Sequence, residues 1–294
     1  MTIPETRTHT LSVPGAVLAY DIHVPDAPGD HQPLFIVGSP MGASGFSQLL
    51  PYLTDRTVIT YDPRGAERSR LDGGDVTTEI HGDDTHRVVR ETGLGPVDVF
   101  GSSGGAMTAL AWAAEHPNEV RTLVAHEPPL TTLLEDRETL QRVNADIIET
   151  YQRRGYGPAM AKFIQLVMHT GPLPADYLDR PAPDPAQFGL PTEDDGSRDD
   201  LLLSRNLAMP PYVPDVAALQ GSGVRIIPAV GEVGAGTVAH RGGEALAELL
   251  GRDPLVFPGD HGGFAVSEWS PHNDPAAFAR KLRDVLDGRR ETAA

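Results

Sequence analysis

Val99-Phe100-Gly101-Ser102-Ser103-Gly104-Gly105-Ala106 is the stretch around which the chain is organised. It reads G-x-S-x-G, with Ser103 at its centre. Residues 96–100 before it have strand composition. Residues 106–114 after it are strong helix formers, and the run stops at His116-Pro117. The serine therefore stands where a buried strand turns sharply into a helix, the context that a nucleophile elbow requires. Small residues on both sides let the backbone bend and the helix approach the strand. The N–H of Gly104 then lies at a helix N-terminus, where developing negative charge is stabilised. A plain βα loop or a phosphate cradle are the competing readings. The cradle is disfavoured, because the stretch holds no G-x-G-x-x-G and no Lys follows the glycines.

Outward from the elbow, strand and helix alternate. Residues 34–37 are a continuous apolar run, as a strand buried on both faces should be, ending in Gly38-Ser39-Pro40-Met41-Gly42. A helix is expected over about 45–53. A strand over 57–61 ends at Asp62-Pro63-Arg64-Gly65. Helical composition over 77–92 stops at Gly93-Leu94-Gly95-Pro96. Another strand is expected at 120–125. This alternation predicts a mostly parallel sheet with helices on both faces. Residues 8–13 and 16–22, split by Pro14-Gly15, predict a hairpin forming an antiparallel edge, and 26–32 a polar loop.

Between about 130 and 219 the strand pattern disappears. Helices are expected over 133–153, 158–169 and 199–208, around a Pro-, Asp- and Gly-rich stretch at 171–198. Afterwards the alternation resumes: strand 224–230, helix 239–250, strand 255–257, helix 276–286. The expected organisation is a core of residues 1–129 and 220–294, with a helical cap inserted over 130–219.

Composition excludes several classes. Net charge is −17, from 41 acidic and 24 basic residues, which argues against nucleic acid or an anionic membrane as partner. With no cysteine in the sequence, disulfides, thiolate catalysis and Cys-ligated zinc are ruled out. Met1–Arg7 shows no secretory pattern and no apolar run reaches membrane-spanning length, so a cytoplasmic protein is expected.

A serine hydroxyl needs a base to take its proton. His261, in Pro258-Gly259-Asp260-His261-Gly262-Gly263, closely follows the last expected strand and so lies at the sheet edge where the elbow opens. His81 and His86 are five apart and do not share a helix face as metal ligands would; they are read as surface or sheet-packing residues. Two carboxylates compete to hold the imidazole. Glu127 ends the strand after the elbow helix and is restricted by Pro128 and Pro129, whereas Glu232 stands in a glycine-rich loop. Backbone restriction favours Glu127 and leaves Glu232 as the alternative acid. Asp260 comes third, since a sequence neighbour of His261 usually points elsewhere. The oxyanion hole is assigned to the N–H groups of Gly104 and Met41, because Pro40 has none.

With these pieces in order, the chain resembles the α/β-hydrolase superfamily over nearly its whole length. The matching pieces are the Gly101–Gly105 elbow, Asp62-Pro63-Arg64-Gly65-Ala66-Glu67-Arg68-Ser69, the Gly38–Gly42 loop and Pro258-Gly259-Asp260-His261. The resemblance implies an eight-stranded, mostly parallel sheet, a helical cap, and a triad with Ser103 as nucleophile and His261 as base. Ser39-Pro40 stands where the family usually has His-Gly. The family's usual Asp after the strand following the cap would fall near Gly234, where there is no carboxylate. Members that carry the acid one strand earlier match Glu127. Ser103 in place of Asp disfavours dehalogenase and epoxide hydrolase chemistry.

The expectation is a serine hydrolase acting on an ester, lactone or thioester of a small organic molecule, without metal or organic cofactor. The alternatives are a lyase, acyltransferase or cyclase on the same framework, or a non-catalytic small-molecule receptor. Substrate identity and oligomeric state stay open.

Overall fold

In the computed structural model, residues 5–26 and 29–289 are described. Met1–Pro4 of the expected start and two residues of the expected polar loop, Ala27 and Pro28, lie outside them.

β1 (Glu5–Val13) and β2 (Ala16–Val24) form the expected hairpin, followed by β3 (Leu34–Val37), β4 (Val58–Tyr61) and the two-residue β5 (Arg70–Leu71). Then come α1 (Thr78–Thr92), β6 (Val97–Ser102), α2 (Gly104–Glu115) and β7 (Val120–His126). Helices α3 (Arg137–Arg154), α4 (Tyr156–Val167) and α5 (Val216–Gly221) lead to β8 (Arg225–Gly231), α6 (Val238–Leu249), β9 (Leu255–Phe257) and α7 (Pro275–Leu286). The sheet runs β1-β2-β4-β3-β6-β7-β8-β9. β1, β2 and β4 pair antiparallel in succession, and from β4 onward every pair is parallel.

Among the described residues the main path of the sheet has the expected eight strands, and the two-residue β5 joins off that path as a ninth. β2 meets β4 only over Tyr20–His23, so its first residues have a free edge, and β5 takes that edge opposite Ala16 and Val17.

Side-chain alternation in the strands splits the core between two faces. Phe35, Val37, Val99, Leu123 and Ala125 pack with Ala109, Leu110 and Trp112 of α2. Ile36, Phe100 and Val124 face the other way, against Phe46, Leu49 and the α7 residues Phe278 and Leu282. A separate cluster, including Leu140, Ile147, Tyr151, Ala159 and Leu203, holds the helical segment between β7 and β8 together.

Three expected helices differ. Over 45–53 the chain makes two short 3-10 turns, Ala43–Phe46 and Leu50–Tyr52, because Pro51 lacks the N–H that a continuous helix needs. Over 199–208 the chain makes a π-helical turn at Leu202–Asn206, with Leu207 N–H donating to Leu202 O at 2.9 Å. The first helix after β7 starts at Arg137, four residues late, after a 3-10 turn at Thr131–Leu133.

The outgoing connection of β3 leads to β4 on one side, and that of β6 leads to β7 on the other. The two strands are neighbours, so their carboxyl ends flank the crevice that open α/β sheets use for ligands. The loop after β4 is fixed beside this crevice by a buried ion pair: Arg64 Nε and Nη2 donate to Asp84 of α1 at 2.7 and 2.6 Å. Removing one partner leaves the other charge buried and uncompensated. Arg64→Met should lower unfolding stability by about 3–5 kcal/mol, read by urea denaturation; a change below 1 kcal/mol, on the order of an exposed pair, would contradict this account.

Candidate functional site

Ser103 is the residue between β6 and α2. Its backbone sits at φ 55° and ψ −126°, a region that costs a side-chain-bearing residue free energy. The surroundings hold it there. Its N–H donates to His126 O at 3.0 Å, and its carbonyl accepts from Ala106 N–H at 2.9 Å. The glycines after it are needed for contact. A Cβ on Gly104 would lie 2.5 Å from Ser39 O, and one on Gly105 would lie 2.1 Å from Val37 O. α2 therefore starts directly against the end of β3, and the oxyanion-loop candidate runs beside the serine.

Glu127 directly follows β7 and is also left-handed, at φ 46°. Its N–H donates to Ala229 O at 2.9 Å. Its carboxylate is buried, at 1% exposure. Oε1 accepts from Gly231 N–H at 2.9 Å, and Oε2 lies 2.7 Å from His261 Nδ1. Burial opposes the charge. The hydrogen bond and charge of His261, with smaller help from His126 and Gly231 N–H, outweigh it and hold the carboxyl below its usual value. His261 itself is open to solvent, with 47% of its side chain exposed. Among the described residues no hydrogen bond joins Ser103 Oγ to His261; in sites without substrate such bonds often lengthen.

The other two acids have different work. Glu232 Oε1 accepts from Gly259 N–H at 3.2 Å, bracing the loop that carries His261. Asp260 Oδ1 accepts from Gly262 N–H and Asn273 Nδ2, both at 2.8 Å, and Oδ2 accepts from Ser270 Oγ. Both stabilise the histidine loop, and neither hydrogen-bonds His261. Met41 is half-buried, with its carbonyl against Gly38 and its side chain against Gly45. Sequence reasoning missed the Gly231 N–H, which no side-chain pattern announces, and Asn206, whose Nδ2 donates to Ser39 Oγ at 3.0 Å from the helical segment.

Among the described residues, two clusters offer metal-type ligands. Asp83, His86 and His116 lie together, but the two rings stack at 3.7 Å and 10°, so their in-plane lone pairs do not converge on one ion. In the group of His31, Asp55 and Asp287, both carboxylates are already occupied by Arg56. His81 is buried in α1, as a packing residue.

The sequence model of the alpha/beta hydrolase fold family matches residues 34–185. The chain belongs to the α/β-hydrolase fold family. As an α/β-hydrolase enzyme it is similar to the uncharacterized hydrolase YraK of Bacillus subtilis, at 29% identity over 95% of each chain. Its fold is similar to a thermophilic esterase from Thermogutta terrifontis, with TM-score 0.66 and 19% identity over 97% of this chain and 99% of that one. It is also similar to the enol-lactonase from Burkholderia xenovorans, with TM-score 0.64 and 19% identity over 95% and 100%. No helix among the described residues is long and apolar enough to cross a membrane.

His126 lies beneath this site, fully buried, with both ring nitrogens unpartnered among the described residues. Its ring contacts are Phe100, Phe257 and Phe278, with His261 at 6.5 Å between centroids. Burial pushes its pKa down to about 4, and burial with the Arg64 charge does the same to His81. The unfolded chain then binds protons between about pH 6.5 and 4 that the folded chain refuses, so stability is present above this window and is lost as pH falls through it. His126→Leu should be at least as stable as the parent at pH 7 and should lose less stability between pH 7 and pH 5. Equal losses in both proteins, measured by urea unfolding, would exclude His126 from the acid response.

Proposed function

We propose that the chain is a serine hydrolase acting on an ester, lactone or thioester of a small organic molecule, through a Ser103–His261–Glu127 triad. The observation that carries this reading is the 2.7 Å contact between the buried Glu127 carboxylate and His261 Nδ1. With Nδ1–H donated to Glu127, Nε2 bears the lone pair that a general base needs. Ser103 Oγ attacks the acyl carbon while Nε2 takes its proton. The N–H groups of Gly104 and Met41 receive the oxyanion. The protonated imidazole then gives its proton to the leaving alcohol or thiol, and an acyl-serine forms. Water, deprotonated by the same nitrogen, releases the acid and restores the serine.

Glu127 completes the triad in this reading, with Glu232 left to its contact on Gly259. The segment over 130–219 serves as a cap that sets specificity, and Asn206 is its touch-point on the loop after β3. The acidic surface suits a small-molecule substrate rather than nucleic acid. An esterase and an enol-lactonase on the same fold are in keeping with acyl transfer to water.

The test is intact mass after exposure to a fluorophosphonate probe. The parent should take one adduct and Ser103→Ala none. An unlabelled parent, or an adduct that persists in Ser103→Ala, would refute the assignment of the nucleophile.

A further inference from the structure

Two carboxylates outside the triad grip the loop that carries Met41. The 3-10 turn Ala43–Phe46 starts at Gly42, which has no side chain with which to cap it. Gly42 is buried, so its N–H needs a partner within the protein. The loop after β4 supplies the missing acceptors. Gly42 N–H donates to Glu67 Oε1 at 3.2 Å, Ala43 N–H to Asp62 Oδ1 at 2.9 Å, and Ser44 N–H to Glu67 Oε2 at 3.4 Å. Ser44 Oγ adds a bond to Glu67 Oε1 at 2.7 Å. Three consecutive amides of one loop therefore end on two carboxylates of another.

The two carboxylates are held unequally. Asp62 is buried, and its Oδ2 accepts from Arg68 Nε at 2.6 Å; Arg68 in turn grips Asp21 through Nη1 and Nη2 at 3.1 and 2.8 Å. Glu67 is exposed and has left-handed backbone, φ 44°. An exposed position with that backbone suits glycine better than any side-chain-bearing residue. No packing requirement explains a glutamate there; its bonds to Gly42 and Ser44 do.

The geometry points to Glu67 as a positioning residue for the oxyanion hole: by holding the Gly42 N–H it anchors the peptide that follows Met41, and through it the Met41 Cα next to the Met41 N–H. This inference rests on the oxyanion role proposed for Met41. That peptide is held at both ends, since the Met41 carbonyl lies against Gly38, where a Cβ would be 2.4 Å from it. Without Glu67 that anchor is lost, and the Met41 Cα can shift and carry its N–H away from the developing charge. A donor aimed at the transition state contributes to turnover more than to ground-state binding.

The test compares Glu67→Gly and Glu67→Gln with the parent, using p-nitrophenyl butyrate turnover and inhibition by a trifluoromethyl ketone, whose serine adduct bears an oxyanion. Glu67→Gly relieves the backbone strain, so lost activity cannot be put down to strain. Its kcat should fall roughly 10-fold or more, with KM changed less than about 2-fold, and the ketone should weaken by the same factor as kcat/KM. Glu67→Gln keeps one acceptor oxygen and should recover part of the loss. Melting temperature of each variant separates this from a structural role, in which activity follows stability and the ketone and substrate weaken together. A parent that takes fluorophosphonate while Glu67→Gly retains full kcat overturns the inference alone. A parent that takes no fluorophosphonate overturns the serine-hydrolase reading, and the inference with it.

Discussion

Glu127, through its buried carboxylate and its backbone, and the residue before it tie together the ends of four neighbouring elements. Its own N–H is donated to β8, and Oε1 takes a backbone N–H from Gly231, the last residue of that strand. Oε2 meets the imidazole on the loop after β9. The residue before it accepts the N–H of Ser103 after β6. A charge so deeply buried is tolerated only with such partners. The same partners place the serine, the acid and the histidine at one sheet edge. Left-handed backbone at both Ser103 and Glu127 is the local strain that the surrounding ladder sustains.

The proposed oxyanion side follows a similar logic with different groups. α2 can begin against β3 only because Gly104 and Gly105 have no side chains, and this brings the loop after β3 beside the serine. That loop is then gripped from two directions, by Asp62 and Glu67 of the core and by Asn206 of the helical segment. The rigidity of the proposed oxyanion hole therefore depends on these side-chain contacts rather than on the loop's own sequence.

Much of this was legible in the sequence because the signals are local and short in range. The alternation of apolar strands with helices gave the parallel sheet and the order of its elements. Gly101–Gly105 marked the elbow, and the prolines after Glu127 marked a rigid strand end. What escaped was tertiary. β5 exists because β2 outruns β4, which no reading of Arg70–Leu71 reveals. The turns at 43–46 and 50–52 follow from Pro51, a signal that was present but outweighed by apolar composition. The π-helical turn at Leu202–Asn206 and the reach of Asn206 to Ser39 depend on how two distant segments dock. Glu67 lay within a stretch that matched the family, yet its contacts with the loop after β3 appear only once Gly42 is opposite it.

The central claim is that Glu127, and not Glu232, holds the catalytic imidazole. The most direct measurement is ester turnover by Glu127→Gln beside Glu232→Gln at equal folded concentration. The account predicts that the first loses roughly 10³–10⁴-fold in kcat, as loss of the orienting carboxylate does in a triad. The second should lose far less, since it disturbs only a brace on Gly259. A large loss in Glu232→Gln with Glu127→Gln near the parent would contradict the account.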